Sequence, residues 1–281
     1  MSPTTDPAST PATAADRVLP ATRMLSIVII PFLVVAFVVL YFWPSADDTA
    51  RLFAWRIVPD FTSMLLASAY LGGAYFFVRA ASATQWHRIG GGLVPVALFA
   101  SLLGVATVVH RDKFLHTNVA FWLWAGLYFT TPFLVIAVWW LNRQESAPVT
   151  ADDLLLSPAT SVLIGAAGIA AILTCLFLFL FPRSAIAVWP WTLTELTARV
   201  TGAIFALGAV GIGAFVERRW TSARILLQVE GVMGILIAVL CSRGDFDTGK
   251  PLTWLFTAGF LALVIASALL YVRMERRSGP A

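Results

Sequence analysis

An all-α polytopic membrane bundle of about eight helices, in two four-helix halves, is the fold class this sequence predicts. Three observations carry that expectation. Of 281 residues, 59% are hydrophobic and only 12% charged, whereas soluble domains run at about half apolar and about a quarter charged. The apolar residues fall in runs of about twenty, the length that crosses roughly 30 Å of hydrocarbon at 1.5 Å per helical residue. The second half of the chain also repeats landmarks of the first in the same order.

Residues 1–22 are rich in Ser, Thr, Pro and Ala. They bury too little apolar surface to offset the entropy of ordering, so a disordered tail is expected. A first four-helix repeat then covers 23–148, with spans at 24–43, 58–78, 89–109 and 119–141. A second covers 149–281, with spans at 161–181, 195–216, 224–241 and 252–272 and a short C-terminal tail. Trp43-Pro44, Phe181-Pro182 and Trp189-Pro190-Trp191 mark outer ends, where tryptophan favours the headgroup layer. The first run is too long for a signal peptide, and Tyr41-Phe42-Trp43-Pro44 offers no cleavage site. Gly202 and Ala206, Ala209 and Gly213, and the Gly72-Gly73 pair mark places where helices can approach closely.

The formal net charge of +4 does not point to nucleic acid, because the basic residues sit in short connections between apolar runs. Arg218, Arg219 and Arg224 crowd one loop, and Arg273, Arg276 and Arg277 crowd the tail. Basic loops stay in the cytosol, so both termini are expected on the cytoplasmic side.

The repeat is visible residue by residue. Pro44 aligns with Pro182; Trp55, Ala67 and Leu71-Gly72 align with Trp191, Ala203 and Leu207-Gly208 at one constant offset. That offset also pairs Arg88-Ile89 with Arg224-Ile225. After a short deletion, Arg111, Phe114 and Trp122-Leu123 match Arg243, Phe246 and Trp254-Leu255. Four spans per half is even, so the halves share one orientation and form a parallel repeat. Such a repeat can enclose a central cavity or simply enlarge the bundle.

A charge at the bilayer centre costs roughly 2.5–3.5 kcal/mol on insertion scales, so each one asks for a reason. Glu230 lies about a third of the way into the seventh span with no basic residue at helical spacing; it is the sharpest candidate for a proton-coupling or substrate carboxyl in an inter-repeat cavity. Packing against a neighbouring helix is the plainer account. Arg199 lies one turn into the sixth span, four residues after Glu195. A local ion pair explains both, and a phosphate-binding role for the guanidinium is the alternative. Asp60, after Pro59 and before Thr62 and Ser63, is an ordinary helix start.

No catalytic, cofactor-binding or metal-ligating residue is assigned. His87 falls in an inner loop while His110 and His116 fall in an outer one, so the three cannot share a metal. His110, Asp112 and His116 face Asp245 and Asp247 of the matching loop, but neither spacing nor register enforces a site. Duplicated eight-span haem enzymes would need histidines at matching positions, and this chain has none. Asp47-Asp48 resemble the acidic pair of lipid-linked glycosyltransferases, though two acids in a short polar loop are ordinarily solvation. Cys175 and Cys241 lie within spans without CxxC spacing and read as small fillers. There is no GxSxG, Walker or HExxH sequence.

The stretch Trp189-Pro190-Trp191-Thr192-Leu193-Thr194-Glu195-Leu196-Thr197-Ala198-Arg199 resembles a WPW–LT–LTAR segment of uncharacterised bacterial multi-pass proteins. The resemblance implies a bacterial cytoplasmic membrane protein and brings no activity with it. The leading expectation is a non-enzymatic accessory, scaffold or sensor protein, with membrane lipids, a protein partner or a second copy as partners and no nucleic acid. A small-solute or lipid transporter using Glu230 comes second, and a membrane enzyme acting on lipid at the outer face third.

Overall fold

The computed structural model describes residues 16–242 and 246–279. Among the described residues eight helices are long and apolar enough to cross a membrane: α1 (Pro20–Phe42), α2 (Asp60–Ser82), α3 (His87–Val109), α4 (Val119–Asn142), α5 (Pro158–Leu180), α6 (Glu195–Glu217), α7 (Trp220–Cys241) and α8 (Pro251–Ser278). An even number of crossings puts both described ends at one face, called here the terminal face. Short helices Ala46–Leu52 and Pro182–Val188 follow α1 and α5 at the opposite, outer face.

Local chemistry sets the helix starts. Pro20, Pro158 and Pro251 occupy first-turn positions, where the missing N–H costs nothing. Ser157 caps α5 by accepting from the Thr160 amide. Thr194 and Thr197 bond each other's backbone N–H at the start of α6, a reciprocal cap. Thus the Thr194–Thr197 part of the WPW segment is a helix-start device. Arg218, between α6 and α7, holds φ at 56°, unusual for a side chain with a Cβ; its Nη2 donates to the Leu156 carbonyl at 2.9 Å, anchoring that turn.

Four helices meet at the junction of the two halves; α2, α3 and α6 are the most buried, while α7 is only 17% buried and reaches the junction by one side. α2 lies along α7 and α3 along α6, with α3 also touching α7 and α2 touching α6. Outside them α1 packs on α2, α4 on α3, α5 on α6 and α8 on α7. Lipid offers helices no hydrophobic drive to associate, so close approach of small residues matters most. The tightest seam is α5–α6. A Cβ on Gly211 would lie 2.6 Å from the Ile164 carbonyl oxygen, and one on Gly168 would lie 2.9 Å from the Ile212 nitrogen. Gly202 approaches the Cys175 carbonyl in the same way. α6 tightens into a 3₁₀ turn at Leu207–Ala209 before resuming, alongside this seam.

The connections of the two halves make matching backbone bonds. At the outer face Leu115 N–H donates to the Ala54 carbonyl at 2.9 Å, and Asp247 N–H to that of Pro190 at 2.9 Å. Trp122 Nε1 donates to the carbonyl six residues before it, and Trp254 Nε1 does likewise. At the terminal face Trp86 N–H donates to Asp16 and Trp220 N–H to Leu154. That last correspondence sets Trp86 opposite Trp220, two residues out of step with the sequence pairing of Arg88 and Arg224.

Two expectations need correcting. The end of the expected tail is bonded structure: Val18 is buried, Asn142 Nδ2 donates to the Arg17 carbonyl at 2.8 Å, and Asn142 Oδ1 accepts from Leu19 N–H at 2.9 Å. Residues 1–15 lie outside the described part of the chain. The aromatic residues Trp189 and Trp191 do not face headgroups; both are buried. Trp191 packs on Phe61, Phe246 and Phe256, as Trp55 packs on Phe53, Phe114 and Trp124.

Candidate functional site

Polar groups gather at the two ends of the central junction and along the α2–α7–α8 seam. At the terminal face His87 opens α3 and is buried. Its Nδ1 bonds Asp16 Oδ2, its backbone N–H donates to Asp16 Oδ1 at 3.1 Å, and its Nε2 lies 2.9 Å from Thr221 Oγ1. Ser222 Oγ donates to the His87 carbonyl at 2.7 Å. The Asp16 carboxylate can only accept, so Nδ1 carries a proton toward it, and Nε2 faces the threonine hydroxyl. An acid–imidazole–hydroxyl relay is the arrangement that activates nucleophiles. The trio ties the segment before α1 and the start of α3 to the start of α7.

Beside it Arg219 is buried, with Nε 3.4 Å from Asp153 and 3.3 Å from Glu217. The Thr150 amide bonded to Asp153, with Arg219 nearby, holds that carboxyl below its ordinary range. Nothing in the sequence singled out Asp16 or Thr221. The tail composition hid the first, and an isolated threonine at a helix start signals only a start.

Farther in, Tyr75 Oη donates to Gln228 Oε1 at 2.8 Å and Gln228 Nε2 donates to Tyr271 Oη at 2.9 Å. Arg224 holds Glu275 through two bonds, 2.6 Å and 2.9 Å long. The tyrosines and Gln228 thereby bond across three helices, and Arg224 and Glu275 form an ion pair whose Nε and Oε1 are buried with no other partner.

The three sequence candidates separate. Glu230 Oε1 accepts from Ser267 Oγ at 2.8 Å, so its side chain meets α8 of its own half rather than the first half. Glu195 is held by Arg183 Nε at 2.8 Å, while its i,i+4 neighbour Arg199 stands 3.8 Å away. Arg199 Nη1 instead reaches His110 Nε2 at 2.7 Å, from α6 to the end of α3. A guanidinium only donates, so His110 Nε2 accepts and the ring is neutral with its proton on Nδ1. Burial and then Arg199 push the His110 pKa below its ordinary value.

Other candidates resolve plainly. Asp47 pairs with Arg56 and Asp48 with Arg51, and Asp48 sits in the first turn of a helix capped by Ser45. His116 stacks edge-on against Phe121. Asp245 and Arg243 lie outside the described residues. Among the described residues no group of three His, Cys, Asp or Glu could hold a metal, and both cysteines are free.

Two hollows remain. One is an apolar groove of about 920 Å³ on the outside of the bundle between α3 and α4, lined by Gly104, Val108, Phe133, Ala137 and Trp140 among others. Arg143 lies over the Trp140 ring at 3.3 Å, placing a cation at its terminal-face end. The other, about 180 Å³, opens at the terminal face between α2, α3 and α7 and is lined by Arg79, Ser82, Ala83, Thr84, Arg88 and Ile225. The chain, an integral membrane protein by its eight apolar helices, matches no protein-family model, no curated protein and no solved structure.

Proposed function

We propose that this is a non-enzymatic protein of a bacterial cytoplasmic membrane, an accessory or sensor component that works through lipid held on its lateral surface. The α3–α4 groove carries this reading. It is apolar, faces outward and has the stacked Arg143 cation at one end, which suits an acyl chain along the groove and an anionic headgroup at Arg143. The polar groups of the junction support it too, since among the described residues they bond one another across helices. The matching connections of the two halves support a duplicated four-helix unit in parallel orientation, and the arginines of the terminal face support a cytoplasmic location for it.

Native mass spectrometry after gentle extraction with the cell's own lipids tests the reading. Retained anionic phospholipid is expected, and Ala137→Phe, which fills the groove from an outward position, should reduce retention several-fold. Equal retention by the variant would refute a groove-bound lipid; a stoichiometric co-purifying protein would replace it with a partner subunit.

A transporter is the second reading, favoured by Glu230 and the Tyr75–Gln228–Tyr271 chain within the membrane. It requires Glu230→Gln to abolish pH-dependent flux in proteoliposomes. Unchanged flux, or none in the native protein, would dispose of it.

A further inference from the structure

The small hollow at the terminal face has the chemistry of an anion site. Its walls carry two guanidinium groups, Arg79 from the last turn of α2 and Arg88 from the first turn of α3, and two hydroxyl residues, Ser82 and Thr84. Five other arginines at this face have found partners, while Arg273, Arg276 and Arg277 are exposed on the last turns of α8. Arg17 meets Glu145, Arg219 meets Asp153 and Glu217, and Arg224 meets Glu275; Arg23 and Arg218 donate to carbonyls. Among the described residues neither Arg79 nor Arg88 makes an ion pair or a side-chain hydrogen bond. Arg88 Nε is buried without a hydrogen-bond partner, as are the Nε atoms of Arg23, Arg218, Arg219 and Arg224, whose Nη groups or carboxylates nearby hold them instead.

Position makes Arg88 the telling residue. Arg79 sits at a helix C-terminus, where the negative end of the dipole favours a cation. Arg88 sits at a helix N-terminus with no acid in the first turn, where the dipole opposes a cation and favours an anion. A basic residue there, facing a second one across a concave space, accumulates positive potential that the protein itself does not neutralise. On α7 the comparable arginine, Arg224, carries a bidentate carboxylate. Among the described residues the first half supplies no such carboxylate to Arg88.

We propose that a phosphate group fills this hollow, bridging Arg79 and Arg88 with the Thr84 hydroxyl as a further donor; the Ser82 hydroxyl at its rim already donates to the Val78 and Arg79 carbonyls. Guanidinium forks match phosphate oxygens in pairs. At about 180 Å³ the space suits a headgroup or a small phosphate compound, being below the roughly 300 Å³ at which drug-sized pockets begin. The ligand is either the phosphate of an anionic lipid entering from the leaflet or a soluble phosphate from the aqueous side. The site is independent of the α3–α4 groove.

The full-length protein in phosphatidylcholine nanodiscs is titrated with inorganic phosphate, and separately reconstituted with 20% phosphatidic acid, in a ratio chosen on the order of that found in anionic leaflets. Phosphorus NMR and native mass spectrometry follow binding. Arg79→Gln with Arg88→Gln should weaken binding at least about tenfold, the loss expected for a charge-assisted pair, and leave lipid retention at the Ala137 groove unchanged. Ser82→Asp, at an exposed position, should weaken it similarly, which keeps the test available if the double variant folds poorly. Saturation by phosphate alone identifies a soluble ligand; response only to phosphatidic acid identifies a lipid headgroup. No binding of either probe, or binding indifferent to these substitutions, overturns the site.

Discussion

α2 and α8 both span the membrane, yet they live in opposite surroundings. The apolar window of α2 has a mean hydropathy of 1.4 and is 72% buried in protein, whereas that of α8 reaches 2.3 and is not buried at all. α1, at 2.9, is only 22% buried. The less apolar helix is the interior one, inverting the rule for soluble proteins. Lipid is as apolar as leucine, so greasy side chains gain nothing by turning inward; small and polar residues gain contacts and hydrogen bonds there. α2 accordingly presents Ser63, Gly72 and Tyr75 to neighbours. α8 buries only Thr253 and Met274.

The contrast breaks first at glycine. Gly211→Leu should destabilise the folded protein by about 3 kcal/mol, the upper range for overpacking, because its side chain would strike the α5 backbone. The same change at Gly259 on α8, which has open space beside it, should move stability by less than about 0.5 kcal/mol. Thermal unfolding of both variants in one detergent checks the pair, and similar losses would erase the distinction between interior and peripheral helices.

Asn142→Ala comes next. Asn142 is fully buried and bonds Leu19 N–H, the Thr22 hydroxyl and the Arg17 carbonyl. Removing it orphans backbone groups at the α1–α4 contact, for an expected loss of about 2 kcal/mol and faster proteolysis before Pro20. Thr253→Ala at the start of α8, with its single bond to the Asp247 carbonyl, should lose about 1 kcal/mol or less.

The His110–Arg199 contact gives the pH test. The folded His110 pKa lies below its ordinary value of 6.5, so the unfolded chain takes up the proton first. The contribution is therefore complete above pH 6.5 and declines as pH falls from there toward the folded pKa. Unfolding temperatures recorded between pH 7.5 and 5 should fall, and His110→Gln should flatten that part of the profile. The smallest effect belongs to Glu230→Gln, which keeps the Ser267 bond and should change stability by under about 0.5 kcal/mol; Glu230→Ala should be mildly harmful. A large loss on the amide substitution would mean that Glu230 carries a charge on which the α7–α8 seam depends.

Much of the fold was legible beforehand because membrane thickness writes itself into apolar run length. All eight spans fall within a few residues of their expected places. The candidate sites were less legible. Arg199 and Glu195 share a helix face as read, yet each takes a better partner from elsewhere, His110 and Arg183. Asp16, His87 and Thr221 meet across long separations in sequence, which no local pattern records. Trp189 and Trp191 were placed by tryptophan's taste for interfaces, but a neighbouring aromatic cluster buried them.

The sequence by itself determined the class of environment, the number of crossings and the small-residue positions, since these depend on hydropathy and side-chain size along one chain. Tertiary structure alone decided which helices are central, which arginines are neutralised and which two are left facing an empty corner. Those outcomes depend on distances between segments far apart in the chain, and in a membrane a few ångströms separate a satisfied charge from an unsatisfied one.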